Sequence, residues 1–354
     1  MADIGREWAG CHLLICFPIP EPKALTSALS KQSGLKVSWF QTLMCPENGS
    51  IFQDVDILAT LRALPRTRAD CPRLKYCHFL TSGVNYAQEI QTIYPDDEIR
   101  WTCCSGVHGT SIVEWVFMTY LAFVRDYDTL RKRQQSRQWL GDNFWGMSQY
   151  RSLDGQRIGV LGYGAIGRQV VKVANAFDME TIVFTASSRG RDQAHQEART
   201  DGSIPTTWLH GTTKGDLHNF LAQKLDWLVV CVPLTCNTRH MLAMKEFEIL
   251  SKHSSPRGTF ISNVSRGDVI QQDDLMRALS DDAMSIRAAA LDVQSPEPLP
   301  MDSGLWTTKN CIITPHMSGQ HDRYLERGMD ILLRNLRLPM EQRWINEIDT
   351  ERTR

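Results

Sequence analysis

The sequence predicts an α/β protein of two doubly wound parallel-sheet halves. Three observations predict it. Short apolar runs alternate with helical patterns over most of the 354 residues, the series restarts after a helix-rich interval, and the second series opens on a glycine-rich turn. A chain of this length suffices for two domains of about 150 residues each.

The first series comprises His12–Phe17, Lys36–Phe40, Asp56–Thr60, Lys75–Leu80 and Ile99–Cys104 as strands. The segments between them are long enough to return the chain for parallel pairing. A helix-rich stretch follows from Ser111 to Tyr150, apolar at first and then basic over Arg131–Arg137, where the charges read as a solvated helix face. The second series runs through Arg157–Gly162, Thr181–Ala186, Trp227–Val232, Gly258–Val264, Ala288–Val293 and Cys311–Pro315. Polar, turn-rich residues 187–215 read as surface loop and short structure. In the tail, Leu325, Met329, Leu332, Leu333 and Leu336 recur at helical spacing and predict one amphipathic helix ending near Pro339.

Composition narrows the class of partner. A net charge of -1 gives no electrostatic case for nucleic acid or an anionic membrane. The longest apolar stretch, Ile112–Val124, carries Glu114 and falls short of the roughly 20 residues that span a bilayer. The N-terminal MADIGREWAG lacks the basic start and apolar core of a secretory signal. Ten scattered cysteines show no CxxC pair with metal spacing, so they are expected to be reduced small hydrophobes in a cytoplasmic protein, with no metal.

The strongest local signal is Gly162-Tyr163-Gly164-Ala165-Ile166-Gly167. It follows a strand, opens an apolar helix and leads to a second strand at the spacing of a βαβ unit. Gly162 permits the tight turn, Gly164 the approach of a pyrophosphate, and Gly167 the packing of helix on strand. The helix N-terminus supplies unpaired N–H groups for the phosphates. NAD binders place Asp or Glu at the end of the second strand, where this chain has Thr185, followed by Ser187, Ser188 and Arg189. These residues suit a 2'-phosphate, so NADP is the expected cofactor, with NAD possible.

Arg266, Glu297 and His316 each follow a predicted strand, as the glycine loop does. In a parallel sheet those ends share one edge, where ligands bind. Guanidinium can clasp a carboxylate in bidentate fashion. Imidazole can give the proton a nascent alkoxide needs, and a nearby carboxylate can raise its proton affinity.

At this point the sequence resembles the D-isomer-specific 2-hydroxyacid dehydrogenases, which include glyoxylate/hydroxypyruvate reductases and phosphoglycerate dehydrogenases. The resemblance runs from Tyr76 to Asp349 through TSGVN, GTSIVEW, LDGQRIGVLGYGAIGR, VVCVPLTCNTRH, ISNVSRGDVI, AAALDVQSPEPLP and IITPHMSG. It implies two Rossmann-like domains with the active site in the cleft between them. Residues 1–107 and 320–354 would form the substrate-binding domain and 108–319 the dinucleotide-binding domain, with a homodimerisation arm near 111–150. By the same resemblance Arg266 binds the substrate carboxylate and polarises the oxo group, His316 is the acid/base, and Glu297 pairs with it. The backbone of Ser82, Gly83 and Val84 grips the carboxylate. Thr110, the glycine loop, Val232, Pro233, Thr238 and Asp292 line the cofactor.

The implied reaction is hydride transfer from NAD(P)H to a 2-oxo acid, giving a D-2-hydroxy acid. Thr185 and Asn85 depart from the family pattern, where acidic residues are usual. Formate dehydrogenases, which have Gln beside the histidine, fit less well than a Glu297 enzyme, whereas a phosphite-oxidising relative shares the triad. A nucleotide-sensing regulator, like the corepressor relatives, also retains the triad, but no low-complexity interaction tail flanks the folded region here. The sequence assigns no place to Trp139, Phe144 or Trp145 and names no particular 2-oxo acid.

Overall fold

A computed structural model describes residues 4–46, 49–82, 90, 94, 99–139, 150–187 and 202–348. The chain divides into two compact units, one formed by Met1–His108 with His321–Arg354 and the other by Gly109–Gln320.

In the first unit, strands β1 (His12–Cys16), β2 (Lys36–Phe40), β3 (Ile57–Thr60), β4 (Tyr76–Phe79) and β5 (Arg100–Cys103) form one parallel sheet of order β2-β1-β3-β4-β5. The order reverses direction between β1 and β3, which is the doubly wound arrangement. Side chains alternate across a strand, so an unbroken apolar run faces both ways and must be covered on both sides. Leu13, Ile15, Ile57, Ala59 and Tyr76 accordingly pack on one face, against Trp8, Trp344 and the helix Tyr324–Asn335. Leu14, Cys16, Leu58, Cys77 and Phe79 pack on the other, against Phe52, Tyr94 and Trp101.

The tail helix buries Met329, Leu332, Leu333 and Leu336 against this sheet. It stops at Asn335, short of the expected end near Pro339. The reason is local. The buried Asn335 amide donates to the Ile345 carbonyl at 3.1 Å and accepts from its N–H at 2.8 Å, drawing the returning chain across the helix end.

The second unit carries β6 (Arg157–Leu161), β7 (Glu180–Thr185), β8 (Thr207–His210), β9 (Trp227–Val230), β10 (Thr259–Asn263), β11 (Ile286–Leu291) and β12 (Cys311–Ile313). Their order is β12-β11-β10-β9-β6-β7-β8, and every pair is parallel. Helices Gly109–Val124 and Ala165–Ala176 cover the face of Ile158, Val160, Trp227, Val229 and Phe260. Helices Lys214–Leu221, Met244–Lys252 and Gln272–Ser280 cover the face of Leu161, Leu228, Val230, Ile261 and Leu291. β8 falls inside the stretch read from sequence as loop. It is an edge strand whose two ends are exposed, so it lacks the apolar run that marks its neighbours.

Among the described residues no helix is long and apolar enough to cross a membrane. All ten cysteines are free thiols.

Leu332 is fully buried, so Leu332→Ala is expected to cost about 2–5 kcal/mol in urea denaturation. Met301→Ala, at a side chain 98% exposed, should stay within about 0.5 kcal/mol of the parent. Equal effects of the two would contradict the role given to the tail.

Candidate active site

The carboxyl ends of β6, β9, β10, β11 and β12 lie along one edge of the seven-stranded sheet. Each is followed by a segment with candidate chemistry. After β6, Gly162 takes a left-handed φ of 101°, and its N–H donates to the Phe184 carbonyl at 2.9 Å. A Cβ on Gly167 would overlap the Gly162 carbonyl, so helix Ala165–Ala176 can sit against the turn only with glycine there. Around Gly164 nothing lies within 4 Å of where a Cβ would be, leaving space beside the helix N-terminus. That is the cradle a pyrophosphate requires.

At the end of β7 the Thr185 hydroxyl accepts from the Trp208 indole at 2.9 Å and donates to the Ser187 carbonyl at 3.2 Å. Trp208 meets Tyr163 edge-on at 4.7 Å, and the Tyr163 hydroxyl donates to the Ser203 carbonyl. Ala165 and Ile166 form the first turn of the loop's helix. After β9, Thr238 donates to the Pro233 carbonyl at 2.6 Å and closes a tight turn behind Val232. Thr110, in the first turn of helix Gly109–Val124, donates to Gln169 at 3.4 Å.

The turn after β10 is built around Asn263. Its Oδ1 accepts from the Ser265 N–H at 3.1 Å and hydroxyl at 2.7 Å, while its amide donates to the Arg266 carbonyl at 3.1 Å. This fixes the backbone that carries Arg266. Gly267 then packs so closely on the chain after β11 that a Cβ would overlap the Gln294 carbonyl. Beside it, the Asp268 carboxylate accepts from the Ser295 hydroxyl and from Arg239. The Arg266 and Glu297 segments are thus locked to each other.

Glu297 is held at both oxygens. Oε1 accepts from the Gln294 N–H at 3.0 Å, and Oε2 lies 2.8 Å from His316 Nδ1. Burial alone would raise the Glu297 carboxyl. The His316 and Gln294 hydrogen bonds, with the His316 and Arg266 charges, outweigh it and hold the group below its ordinary range.

His316 sits at a left-handed φ of 51°, a conformation uncommon outside glycine. Asp292 keeps it there. Its carbonyl accepts from the His316 N–H at 2.8 Å, and its buried carboxylate accepts from the Thr314 hydroxyl at 2.6 Å and the Met317 and Ser318 N–H groups at 2.9 Å. With Oε2 facing Nδ1, Nε2 is the ring nitrogen left for other chemistry.

Arg266, Glu297 and His316 therefore belong to one locked arrangement. Asp292, expected to line a cofactor, spends its carboxylate on the turn that carries His316. In the other unit, the Ser82 hydroxyl donates to the Cys104 carbonyl at 3.1 Å. Gly83, Val84, Asn85, Ser188, Arg189, Phe144 and Trp145 lie outside the described residues, and Trp139 is 95% exposed. Sequence reasoning missed Trp208, Asn263, Asp268 and Ser295. Of these only Asp268, beside Arg266, carried a usable signal. Among the described residues no group of three or more His, Cys, Asp or Glu is placed to hold a metal ion.

Comparison with known proteins bears on this geometry. A family model described as the D-isomer specific 2-hydroxyacid dehydrogenase, NAD binding domain, matches residues 117–318. Hydroxypyruvate reductase of Blautia hydrogenotrophica is 26% identical over 287 residues, 80% of this chain and 81% of its own. Human glyoxylate reductase/hydroxypyruvate reductase is 33% identical over 172 residues, and the match spans 47% of this chain and 44% of the human one. The crystal structure of a D-isomer specific 2-hydroxyacid dehydrogenase from Xanthobacter autotrophicus, in complex with NADPH and MES, shares the fold. It has a TM-score of 0.73 and 22% identity, covering 98% of this chain and 100% of that one.

The Asp268 lock has a measurable signature. The Ser295 hydroxyl, and with it Arg239, holds the Asp268 carboxyl below its ordinary 3.8 despite partial burial. A lowered carboxyl adds stability that is complete above the unfolded-state value and lost as pH falls through the folded one. Asp268→Asn should therefore be less stable than the parent at pH 7 and lose less stability on acidification below pH 4. Denaturant titrations at both pH values check this, and an unchanged acid slope would remove Asp268 from the lock.

Proposed function

Because the chain belongs to the D-isomer specific 2-hydroxyacid dehydrogenase family, we propose that it reduces a 2-oxo acid to the corresponding D-2-hydroxy acid. The observation that carries this reading is the 2.8 Å pairing of His316 Nδ1 with Glu297 at the strand ends of a dinucleotide-type sheet. A bound nicotinamide dinucleotide would supply the hydride. The open cradle at Gly164 and the N-terminus of helix Ala165–Ala176 fit its pyrophosphate.

The chain's own groups do the rest. Glu297 fixes the ring of His316 through Nδ1, which leaves Nε2 to pass a proton to the oxygen of the oxo group. Arg266 offers a planar fork to the substrate carboxylate and a positive charge beside the oxo oxygen. Asp292 and Asn263 hold the two backbones in place, which avoids reorganisation during reaction.

Cofactor choice follows from β7. No carboxylate stands at Thr185 to repel a 2'-phosphate, and Ser187, Ser188 and Arg189 provide donors for one. We read the chain as preferring NADPH, the cofactor held by the Xanthobacter relative. We also read it as a cytoplasmic homodimer. Ten free thiols support the first, and exposed Met118 and Phe177 in the second unit support the second.

His316→Ala should lower turnover of 2-oxo acids by about 100-fold or more while dinucleotide binding, followed by fluorescence, persists. Glu297→Gln should act more mildly and narrow the pH range of activity. Full turnover in His316→Ala would refute the assignment. A parent chain that binds dinucleotide but reduces no 2-oxo acid would be a nucleotide-sensing regulator instead.

NADPH should be used with at least about tenfold higher kcat/KM than NADH, the value of one charge-assisted pair. Arg189→Ala should erode only the NADPH figure. Equal efficiency with both cofactors would return Arg189 to the solvated loop.

A further inference from the structure

In the first unit, β4 ends where its neighbour β3 turns away, the Thr60 hydroxyl accepting from the Ala63 N–H at 2.9 Å. The Leu80 N–H still reaches the Thr60 carbonyl at 2.8 Å, but β3 runs no further alongside to supply a donor for the Leu80 carbonyl. A buried carbonyl needs one. It comes from the tail helix, where the Tyr324 hydroxyl donates to the Leu80 carbonyl at 2.7 Å. The phenol is held in place by its neighbours. Its ring packs against His108, with 4.4 Å between centroids, and against Phe17 at 5.9 Å.

The turn that follows β4 is held residue by residue. The Thr81 carbonyl accepts from the Cys104 N–H at 2.9 Å, and the Ser82 hydroxyl donates to the Cys104 carbonyl at 3.1 Å. Cys104 is itself anchored. Its thiol lies 3.3 Å from His78 Nε2, and His78 Nδ1 lies 2.7 Å from the Thr102 hydroxyl. Burial pushes His78 down to about 3, so the ring is neutral and can both donate and accept. The tail helix reaches this anchor too, because a Cβ on Gly328 would come within 3.1 Å of the Cys104 thiol and of the Leu80 side chain. Arg327 adds a bond to the Val107 carbonyl at 3.3 Å. Tyr324 is the tail's tie to the outgoing backbone of β4 itself.

We propose that Tyr324 is a positioning residue for the substrate. From the tail helix it sets the path of the turn after β4, so that the segment opening at Ser82 presents its backbone to the carboxylate of a 2-oxo acid. This rests on the reading of the chain as a 2-oxo acid reductase, and extends it to a helix that carries none of Arg266, Glu297 and His316. Main-chain N–H groups grip an anion well only when the backbone that aims them is fixed. Losing the hydroxyl leaves the Leu80 carbonyl without its donor and frees the turn to take other paths. Substrate binding then suffers more than the chemical step.

Tyr324→Phe and Leu332→Ala both weaken the tail, and comparing them in the full chain separates positioning from stability. Both should melt below the parent. The substrates are whichever of glyoxylate, hydroxypyruvate and pyruvate the parent reduces, with NADPH in excess. Tyr324→Phe should raise their KM by roughly fivefold or more and leave kcat and the KM for NADPH within about twofold. Leu332→Ala, which removes packing and no side-chain hydrogen bond, should leave all three figures within about twofold. Hydrogen exchange at the Cys104 amide, whose N–H is held by the turn at Thr81, gives a reading without turnover. In Tyr324→Phe it should quicken about tenfold more than the amides of β1 do. With an active parent, an unchanged KM in Tyr324→Phe overturns the proposal. So does an equal rise in Leu332→Ala, or Cys104 exchange that quickens no more than that of β1. A parent that reduces none of the three acids, with Cys104 exchange quickened as expected, instead sinks the reductase reading and the substrate role with it.

Discussion

Covering both faces of a parallel sheet is the constraint on which the rest of this structure depends. The inner strands are apolar on both faces, so crossovers must bring helices over each face of the sheet. The chain then always enters the sheet at one edge and leaves at the other. Segments far apart in sequence, at Gly162, Val232, Arg266, Asp292 and His316, are thereby delivered to the same side of one sheet. The opposite side receives the residues that precede the strands, and there the buried Asp226 carboxylate accepts from Arg151 and from the Arg157 N–H.

Delivery to one edge does not by itself fix a side chain. That is done by short polar contacts between neighbouring loops. Asn263 holds the turn that carries Arg266, Gly267 and Asp268 bind that turn to the next one, and Asp292 holds the turn after it. Each of these groups is buried or half-buried and satisfied by the protein, which makes the arrangement stiff. A buried carboxylate is costly unless its oxygens are met by donors, and Asp292 meets several at once. This is why His316 can be kept in a backbone conformation that an isolated chain would avoid.

The strands were legible because burial on both faces writes an unbroken apolar run, as in Trp227–Val230 and Thr259–Asn263. The glycine turn was legible because its glycines answer to steric demands that follow from the turn alone. Arg266, Glu297 and His316 were legible by position, each lying just past a strand. β8 was not, because an edge strand needs no continuous apolar run and half of it faces solvent. The Trp208–Thr185 and Asp268–Ser295 hydrogen bonds were not, because residues 23 and 27 positions apart meet only once the sheet exists. The stop at Asn335 escaped for a similar reason, since the periodicity continues to Leu336 while a side-chain amide ends the helix.

The first unit is written in two pieces. Its sheet is made by the first 108 residues, yet one face of that sheet is covered by Met329, Leu332, Leu333 and Leu336. The second unit is continuous and carries its own two-sided core. During synthesis the order of translation therefore cannot be the order of completion. The second unit has everything it needs when residue 320 has emerged, whereas the older sheet waits with an apolar face uncovered until the last helix arrives. A nascent chain halted before that helix would hold a finished later domain behind an unfinished earlier one, and its exposed strands would be the surface a chaperone meets.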